Sequence, residues 1–159
     1  MACQKPTILS TALKLLSRRQ HSIEEMGEKL KAKGFPAPEI NSAVDYLKGA
    51  GYLNDERFAS LAAESWIRRK AWGPGRIASY LRLKGIPGEI IKETLRANEA
   101  IESESAGRAI EKWLKKKGLR PPLEKKDIEK AFRHLVARGF GAHKATAQIK
   151  GLKGVDPRE

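Results

Sequence analysis

A short motif that occurs three times constrains this chain more than any other feature. The motif reads Leu-x-x-basic-Gly-apolar, and it stands at residues 30–35, 81–86 and 135–140. Recurrence at this interval indicates a repeat protein, in which each copy is one supersecondary unit. Apolar positions outside the motif keep the same register: Met26 with Ile77, Ile40 with Ile91 and Ala145, and Val44 with Leu95 and Ile149.

Each copy of the motif has the chemistry of a helix stop. Glycine adopts the left-handed conformation that closes the last carbonyls, the basic residue complements the negative helix end, and the apolar residue folds back onto the helix. A further helix follows each stop, because Pro38 suits a first helical turn, and Gly88 and Gly141 permit a helix entry. We therefore predict three helices in each repeat.

Helix starts can also be predicted from the sequence in the first two repeats. The residues Ser22-Ile23-Glu24-Glu25 form a capping box, and Asn54 caps a helix whose neighbours Leu53 and Phe58 are spaced as a hydrophobic staple. That helix is predicted over about 55–70, before Gly73-Pro74-Gly75 breaks the chain and a new helix begins at Arg76. Its predicted buried face contains Phe58, Leu61, Ala62 and Ser65, with Arg57, Arg68 and Lys70 largely outside.

These patterns predict an all-α fold of three tandem three-helix repeats. Aromatic residues make up only 6% of the chain, and helix-forming residues dominate. One unit of this size buries too little apolar area to be robust alone, so neighbouring units must stack, and we expect an elongated, curved helical array. The predicted boundaries are 7–51, 52–98 and 99–152 for the three repeats and 153–159 for a C-terminal tail.

The charge balance favours an anionic partner. Thirty-two Lys and Arg residues stand against nineteen Asp and Glu residues, for a formal net charge of +13. An excess of this size across a whole chain is typical of proteins that bind a polyanion. The plainer alternative is a solubilising surface, which is how a single lysine cluster is usually explained.

Location is predicted from features that the sequence does not contain. Cys3 is the only cysteine, so an intrachain disulfide is impossible and a secreted, disulfide-stapled fold is unsupported. We see no signal-peptide core and no apolar run of membrane-spanning length. The expected location is the cytoplasm, with no membrane contact.

Several motifs together resemble one known family. In the second repeat they are residues 51–59 (GYLNDERFA), followed by Arg76-Ile77, Leu81 and residues 84–87 (KGIP). In the first repeat they are residues 12–19 (ALKLLSRR), Ser22, Glu25 and residues 33–35 (KGF). This set closely resembles the signature of the RecX family over about residues 8–95, whereas residues 100–152 agree mainly in helical pattern. Asn54 stands where the family often has Asp, and both residues cap helices well.

The resemblance implies a function that composition does not reveal. RecX-like proteins consist of tandem three-helix repeats, bind in the deep groove of the RecA–DNA filament and inhibit its ATPase and strand exchange activities. It implies a regulator, a monomer without cofactor or metal, whose partners are the RecA nucleoprotein filament and, weakly and non-specifically, single- and double-stranded DNA. It also places Tyr52, Leu53 and Phe58 in the joint between the first two repeats, where we expect them in the core.

Candidate contact residues are cations near the middle repeat, with others at both ends. The preferred surface contains Arg68, Arg69, Lys70, Trp72, Arg76, Arg82 and Lys84. Trp72 either stacks on a base or a loop, or packs beneath the Gly-Pro-Gly turn while the charges are merely solvated. The further candidates for contact with RecA or DNA are Arg18, Arg19, Arg57, Lys112, Lys115 and Lys116, to which the neighbouring Lys117 and Arg120 are added.

Three other functions compete with filament regulation. Non-specific DNA binding that is independent of RecA is the first alternative. A sequence-specific helix-turn-helix reader is less suitable, because carboxylates such as Glu39, Asp45 and Glu89 on the reading helices would face phosphates. An enzyme is the weakest alternative, since the three histidines are dispersed and we find no nucleotide-binding glycine motif or metal-ligand cluster.

Overall fold

Nine α-helices form the described part of the protein, residues 7–152 of a computed structural model. Cys3 and the predicted tail 153–159 lie outside the described residues. Within them, extended pairing is limited to a single bridge at Leu123, so the predicted all-α fold of three-helix groups is confirmed. The helices are α1 (Ile8–Leu16), α2 (Ile23–Ala32), α3 (Ala37–Gly49), α4 (Asp55–Lys70), α5 (Pro74–Leu83), α6 (Gly88–Ala97), α7 (Glu99–Lys117), α8 (Lys125–Ala137) and α9 (Ala142–Lys150).

The three motif copies end the middle helix of each group in the same way. Gly34, Gly85 and Gly139 have φ values of 87°, 71° and 91°, which is the left-handed region. The amide of the apolar residue after each glycine donates to the carbonyl of the motif leucine, at 3.3, 3.1 and 3.1 Å in chain order. The motif leucines themselves are fully buried. The predicted helix stop is therefore confirmed in all three copies.

The predicted helix starts are largely confirmed. The Ser22 hydroxyl accepts from the Glu25 amide at 3.1 Å, and the Asn54 side chain accepts from the Arg57 amide at 2.8 Å. Pro38 lies in the first turn of α3. The prediction for α5 was late by two residues, because the helix begins at Pro74, a residue suited to a first helical position.

The predicted buried face of α4 was correct at Phe58 and wrong at Leu61. Leu61 is 46% exposed, whereas Ala59 and Ala63 are completely buried and Ile67 nearly so. Phe58 is buried as predicted. Small alanines allow close approach to neighbouring segments, and a pattern that gives most weight to large apolar residues assigns them too little importance.

Tyr52 also departs from expectation. Leu53 and Phe58 are buried at 3% and 4% exposure, as predicted, but Tyr52 is 52% exposed. The reason is the end of α3, where Gly51 is left-handed and the Tyr52 amide donates to the Leu47 carbonyl at 2.8 Å. Leu53, one position later, is the residue that packs into the core.

The chain divides into two compact units. The first contains the residues up to Leu61 together with Leu81–Ile91, and the second contains Ala62–Tyr80 and the residues from Lys92 onward. The core of the first unit includes Ala12, Met26, Leu30, Ile40, Leu47 and Leu53. The core of the second includes Ala71, Ala106, Ala109, Ile110, Trp113, Leu123, Ala131, Leu135, Phe140, Ala145, Ile149 and Leu152.

Candidate nucleic-acid interface

The predicted contact residues are distributed over both compact units. The first unit contains Arg18, Arg19, Arg57, Arg82 and Lys84. The second contains Arg68, Arg69, Lys70, Trp72, Arg76, Lys112, Lys115 and Lys116. The preferred surface thus has members in both units.

In the first unit, two of the predicted cations are paired with one carboxylate. Arg19 donates to Glu25 through both terminal nitrogens, at 2.9 and 2.7 Å, and the Lys84 ammonium donates to the same carboxylate at 2.7 Å. The ring of His21, which is buried, lies 2.9 Å from Glu25. The Glu25 carboxylate therefore neutralises charge that was assigned to a partner.

This arrangement lowers the pKa values of both Glu25 and His21. Burial raises the pKa of Glu25, but hydrogen bonds from Arg19, Lys84 and His21 outweigh it and bring this pKa well below its ordinary value. Burial also lowers the pKa of His21, against the opposing hydrogen bond to Glu25. At neutral pH, Glu25 is ionised and His21 is neutral.

A hydrogen-bonded joint lies beside this charge cluster. The Ser22 hydroxyl donates to the Lys84 carbonyl at 2.6 Å, so the start of α2 meets the turn that ends α5. Asp55 accepts from the Ile23 amide at 2.9 Å, and burial raises the pKa of this carboxyl. We call the contact of Ser22 and Glu25 with Lys84 the first joint.

The other predicted cations of the first unit are exposed. Arg18 shares a hollow of about 350 Å³ with Lys14 and Lys33, two cations that were not among the predicted contacts. Arg57 borders a separate hollow with Leu13 and Tyr52. Lys14 lies one helical turn from Arg18, which is the spacing that would have identified this pair from the sequence.

In the second unit, Trp72 is enclosed by neighbouring side chains. Its ring stacks on Trp66 with centroids 4.3 Å apart and an interplanar angle of 11°, and the Arg76 guanidinium lies over it at 4.7 Å. The Trp66 indole and the Arg76 guanidinium are thus both close neighbours of the Trp72 ring. Tyr80 meets both indoles edge-on. The packing alternative for Trp72 is the one that this geometry favours, whereas Arg68, Arg69 and Lys70 are exposed.

A second joint is built from backbone. The Gly73 amide donates to the Arg138 carbonyl at 2.8 Å, and the Gly75 amide donates to the Gly139 carbonyl at 2.9 Å. The start of α5 thus meets the turn that ends α8, in the same arrangement as the first joint. A methyl group on Gly73 would lie 2.6 Å from the Gly139 carbonyl carbon, so the contact requires glycine.

A cationic hollow lies next to the second joint. It has a volume of about 310 Å³, and its walls come from the end of α4, the second half of α7 and the end of α8. Its charged lining residues are Lys70, Lys112, Lys116, Lys117 and Arg138. Lys112 and Lys116 had been predicted as contacts from the sequence; Lys115 is exposed and lies outside the lining. Arg138 was missed, because only tertiary structure brings it to α7.

Arg138 and His134 are held in place within this hollow. The Arg138 guanidinium donates to the Lys70 carbonyl at 2.6 Å. His134 lies 5.9 Å from the Trp113 ring, centroid to centroid. Burial lowers the pKa of His134, and the charges of Arg138 and Lys116 lower it further, against a backbone hydrogen bond with Ala109. The imidazole is therefore neutral at pH 7.

Two negative findings apply to residues 7–152. They contain no group of three or more His, Cys, Asp or Glu side chains that could bind a metal ion. The helices described there also include none with the length and apolar character needed to span a bilayer.

Tandem three-helix groups with cationic surfaces place the chain in the class of all-α repeat proteins, and comparison with known proteins identifies the family. Residues 9–47 match the description "RecX, first three-helix domain", and residues 54–95 match "RecX, second three-helix domain". The chain belongs to the RecX family of regulatory proteins.

Relatives and solved structures agree with this assignment. The chain is 35% identical to the regulatory protein RecX of Chlorobaculum tepidum, over 95% of this chain and 91% of the relative. It is 31% identical to the regulatory protein RecX of Chromobacterium violaceum, over 89% and 88% of the two chains. The crystal structure of RecX from Lactobacillus salivarius has the same fold, with a TM-score of 0.79, 20% identity, and coverage of 91% of this chain and 94% of that one.

Proposed function

We propose that this protein binds in the groove of the RecA–DNA filament and inhibits RecA ATPase and strand exchange. Family membership is the observation that carries this proposal, because the RecX resemblance implies that activity. The net charge of +13 supports it, since a nucleoprotein filament contains a polyanion. Homologous recombination and DNA repair are the processes that such a regulator would restrain.

The proposed contacts come from the exposed cations in both units. Arg68 and Arg69 in the last turn of α4 are the preferred members, because their side chains are exposed and the structure shows no carboxylate paired with them. Arg19 and Lys84 are less suitable, since Glu25 already offsets their charge. Trp72 is less suitable for base stacking, because its ring already stacks on Trp66 and lies under the Arg76 guanidinium.

A filament ATPase assay tests this proposal directly. RecA is assembled on single-stranded DNA, the protein is added in increasing amounts, and ATP hydrolysis is followed at steady state. We expect turnover to fall as the protein saturates the filament. Unchanged turnover at a clear excess of protein over RecA would reject inhibition.

Non-specific DNA binding without RecA is the second candidate, and the cationic hollow of the second unit favours it. If free DNA is the main target, affinity is equal with and without RecA, and it falls with salt by about 0.9 log unit per log unit for each duplex phosphate neutralised. If the filament is the target, the filament binds more tightly than bare DNA at the same salt concentration.

We also propose the remaining attributes that were expected from the sequence. The protein would act as a cytoplasmic monomer without cofactor, in the compartment where RecA and DNA are found. The proposed repeat boundaries are 7–51, 52–98 and 99–152. Analytical ultracentrifugation of the full chain checks the oligomeric state, because a dimer sediments as a species of twice 17.7 kDa.

A further inference from the structure

The cationic hollow of the second unit has the charge of an anion-binding site. Five cationic side chains line it, and the described lining residues include no carboxylate. The only titratable lining group that is not a permanent cation, His134, is neutral for the reasons given above. An anion in the hollow would therefore meet several positive charges and no negative one.

Helix polarity explains only part of this cluster. Lys70 and Lys116 lie in the last turns of α4 and α7, where cations complement the negative helix ends without any ligand. Lys112 lies before the last turn of α7, and the effect of the helix dipole fades beyond the last turn. Arg138 is positioned by its hydrogen bond to Lys70, which reduces the entropy that its guanidinium would lose on binding. Helix capping accounts for Arg138, which is the C-cap of α8 and hydrogen-bonds the last residue of α4, but a ligand accounts for Lys112 better than capping does.

The lining also indicates which anion fits. Trp113 lines the hollow but is only 8% exposed, so the site offers almost no aromatic surface for a base or for an apolar side chain of a protein partner. Protein–protein interfaces have apolar, aromatic centres, whereas protein–DNA interfaces are polar and positively charged. The side of DNA that suits such a site is its backbone, which carries one phosphate per nucleotide and no sequence information.

We propose that this hollow binds the phosphodiester backbone of DNA, with Lys112, Lys116 and Arg138 neutralising adjacent phosphates. The inference rests on the proposed function for its biological setting, but it concerns free DNA and requires no RecA. The second unit then binds nucleic acid without sequence preference. Lys70 and Lys117 contribute at the rim of the hollow.

The test uses the full chain and two charge-matched double variants. The pocket variant is Lys112→Gln with Lys116→Gln, and the control is Lys92→Gln with Lys150→Gln, which removes two exposed lysines of the same unit outside the hollow. Glutamine is a good helix former, so both variants should fold, and their melting temperatures verify this. The probe is a fluorescein-labelled oligothymidylate, and its polarisation is measured over a range of salt concentrations.

We expect the pocket variant to bind at least about tenfold more weakly at low salt, as for the loss of one charged hydrogen bond or more, and the control to bind almost as tightly as the parent protein. The slope of log affinity against log salt should fall by about 1.4 in the pocket variant, which is two single-strand phosphates. Equal losses in the two variants would overturn the proposal, because bulk charge would then be responsible. Competition by polyglutamate at the same charge concentration as DNA would overturn it too, in favour of an acidic protein partner.

His134 provides a second readout that bulk charge does not affect. The charges facing it are Lys70 of α4, Lys112, Lys116 and Lys117 of α7, and Arg138 at the end of α8. A phosphate among them would offset their field, so the pKa of His134, followed by the NMR signal of its imidazole, should rise when oligothymidylate is added. The exposed His143 is the internal reference. An unchanged His134 titration at saturating DNA would contradict the proposal.

Failure of DNA binding at the hollow can be distinguished from failure of the proposed filament inhibition. If the parent protein and the pocket variant inhibit the filament ATPase equally but neither binds oligothymidylate, this inference fails and filament regulation stands. If DNA binding maps to the hollow but the ATPase is unaffected, the inference stands and filament inhibition fails.

Discussion

The two joints occupy equivalent positions in the repeated chain but are stabilised by different chemical groups. In both, the start of a middle helix meets the turn that ends the middle helix of the following three-helix group. The first joint uses side chains, since Ser22 and Glu25 bind the carbonyl and the ammonium of Lys84. The second uses backbone alone at its centre, where the amides of Gly73 and Gly75 donate to the following turn.

The difference shows that one packing topology can be stabilised in two ways with different sensitivities. A joint of ion pairs and hydroxyl groups responds to pH and tolerates added bulk where a flexible side chain can move aside. A joint of apposed glycines does not respond to pH, but it has no space for a Cβ atom. Each sensitivity provides a way to perturb one joint and leave the other intact.

The largest expected effect is at the turn of the second joint. Gly139→Ala places a methyl group against the Arg76 backbone at a residue with a φ of 91°. Strain in the left-handed region and overpacking together should lower the free energy of unfolding by about 3 kcal/mol. Urea denaturation followed by circular dichroism measures this.

The matched control is the equivalent glycine of the first group. Gly34 has a φ of 87°, but nothing lies within 4 Å of an added Cβ atom. Gly34→Ala should therefore cost only the conformational strain, about 1 kcal/mol. Equal losses at the two glycines would mean that the close backbone contact of the second joint does not contribute to stability.

The next largest loss of stability is expected in the charge cluster of the first joint. Glu25→Gln removes the carboxylate that pairs with Arg19 and Lys84, and at pH 7 it should lower the free energy of unfolding by about 2–3 kcal/mol. Because the folded-state pKa of Glu25 is lowered, its ionic contribution is complete above the ordinary carboxyl pKa and is lost as the pH falls below that value.

The pH profile distinguishes the charge from the shape of Glu25. The stability gap between parent protein and Glu25→Gln should narrow below about pH 4.5, the ordinary carboxyl value. His21, whose pKa is lowered, destabilises the parent protein below its ordinary value of 6.5, and it destabilises the variant more, because the Glu25 carboxylate that opposes this lowering is gone. The raised pKa of Asp55 acts in the opposite direction on acidification. A gap that is constant from pH 7 to pH 3 would show that the ion pairs contribute nothing.

A smaller effect separates helix capping from joint formation. Ser22→Ala removes both the cap of α2 and the hydrogen bond to Lys84, and we expect a loss of about 2 kcal/mol. Asn54→Ala removes a cap of similar geometry, the bond to the Arg57 amide, and should cost about 1 kcal/mol. The comparison is made by thermal melting. Identical losses of stability in the two variants would mean that the Ser22–Lys84 hydrogen bond makes no net contribution to the free energy of unfolding.

The smallest expected effect on stability is at exposed cations outside both joints. Arg68→Ala with Arg69→Ala should change the melting temperature little, because both side chains are exposed at the end of α4. The same variant should bind the RecA–DNA filament more weakly, as measured by inhibition of the ATPase. If melting temperature and inhibition fall together, these arginines belong to the scaffold and not to the contact surface.

The sequence predicted what depends on local chemistry. The left-handed glycines, the caps at Ser22 and Asn54 and the buried motif leucines all follow from a few neighbouring residues. What it missed depends on contacts between distant residues. Examples are the burial of Ala59 and Ala63, the pairing of Lys84 with Glu25, and the approach of Arg138 to the lysines of α7.

The same distinction explains the candidate site. Lys112 and Lys116 were predicted as members of a cluster of cations near one helix end, and such a cluster is visible in the sequence. Arg138 is the basic residue of the turn motif in the third repeat, so the sequence explained it as part of a helix stop. Its guanidinium also donates to the Lys70 carbonyl, a contact that the sequence does not reveal. Trp72 could not be assigned from the sequence, because the stacking partner Trp66 precedes it by more than one helical turn.

The placement of the three tryptophans has a practical consequence. Trp66, Trp72 and Trp113 all belong to the second compact unit. Indole emission therefore reports on that unit alone, whereas far-ultraviolet dichroism averages over the helices of both. When the two optical signals are recorded on one sample during denaturation, separate midpoints would reveal that the units melt independently, without any label or added chromophore.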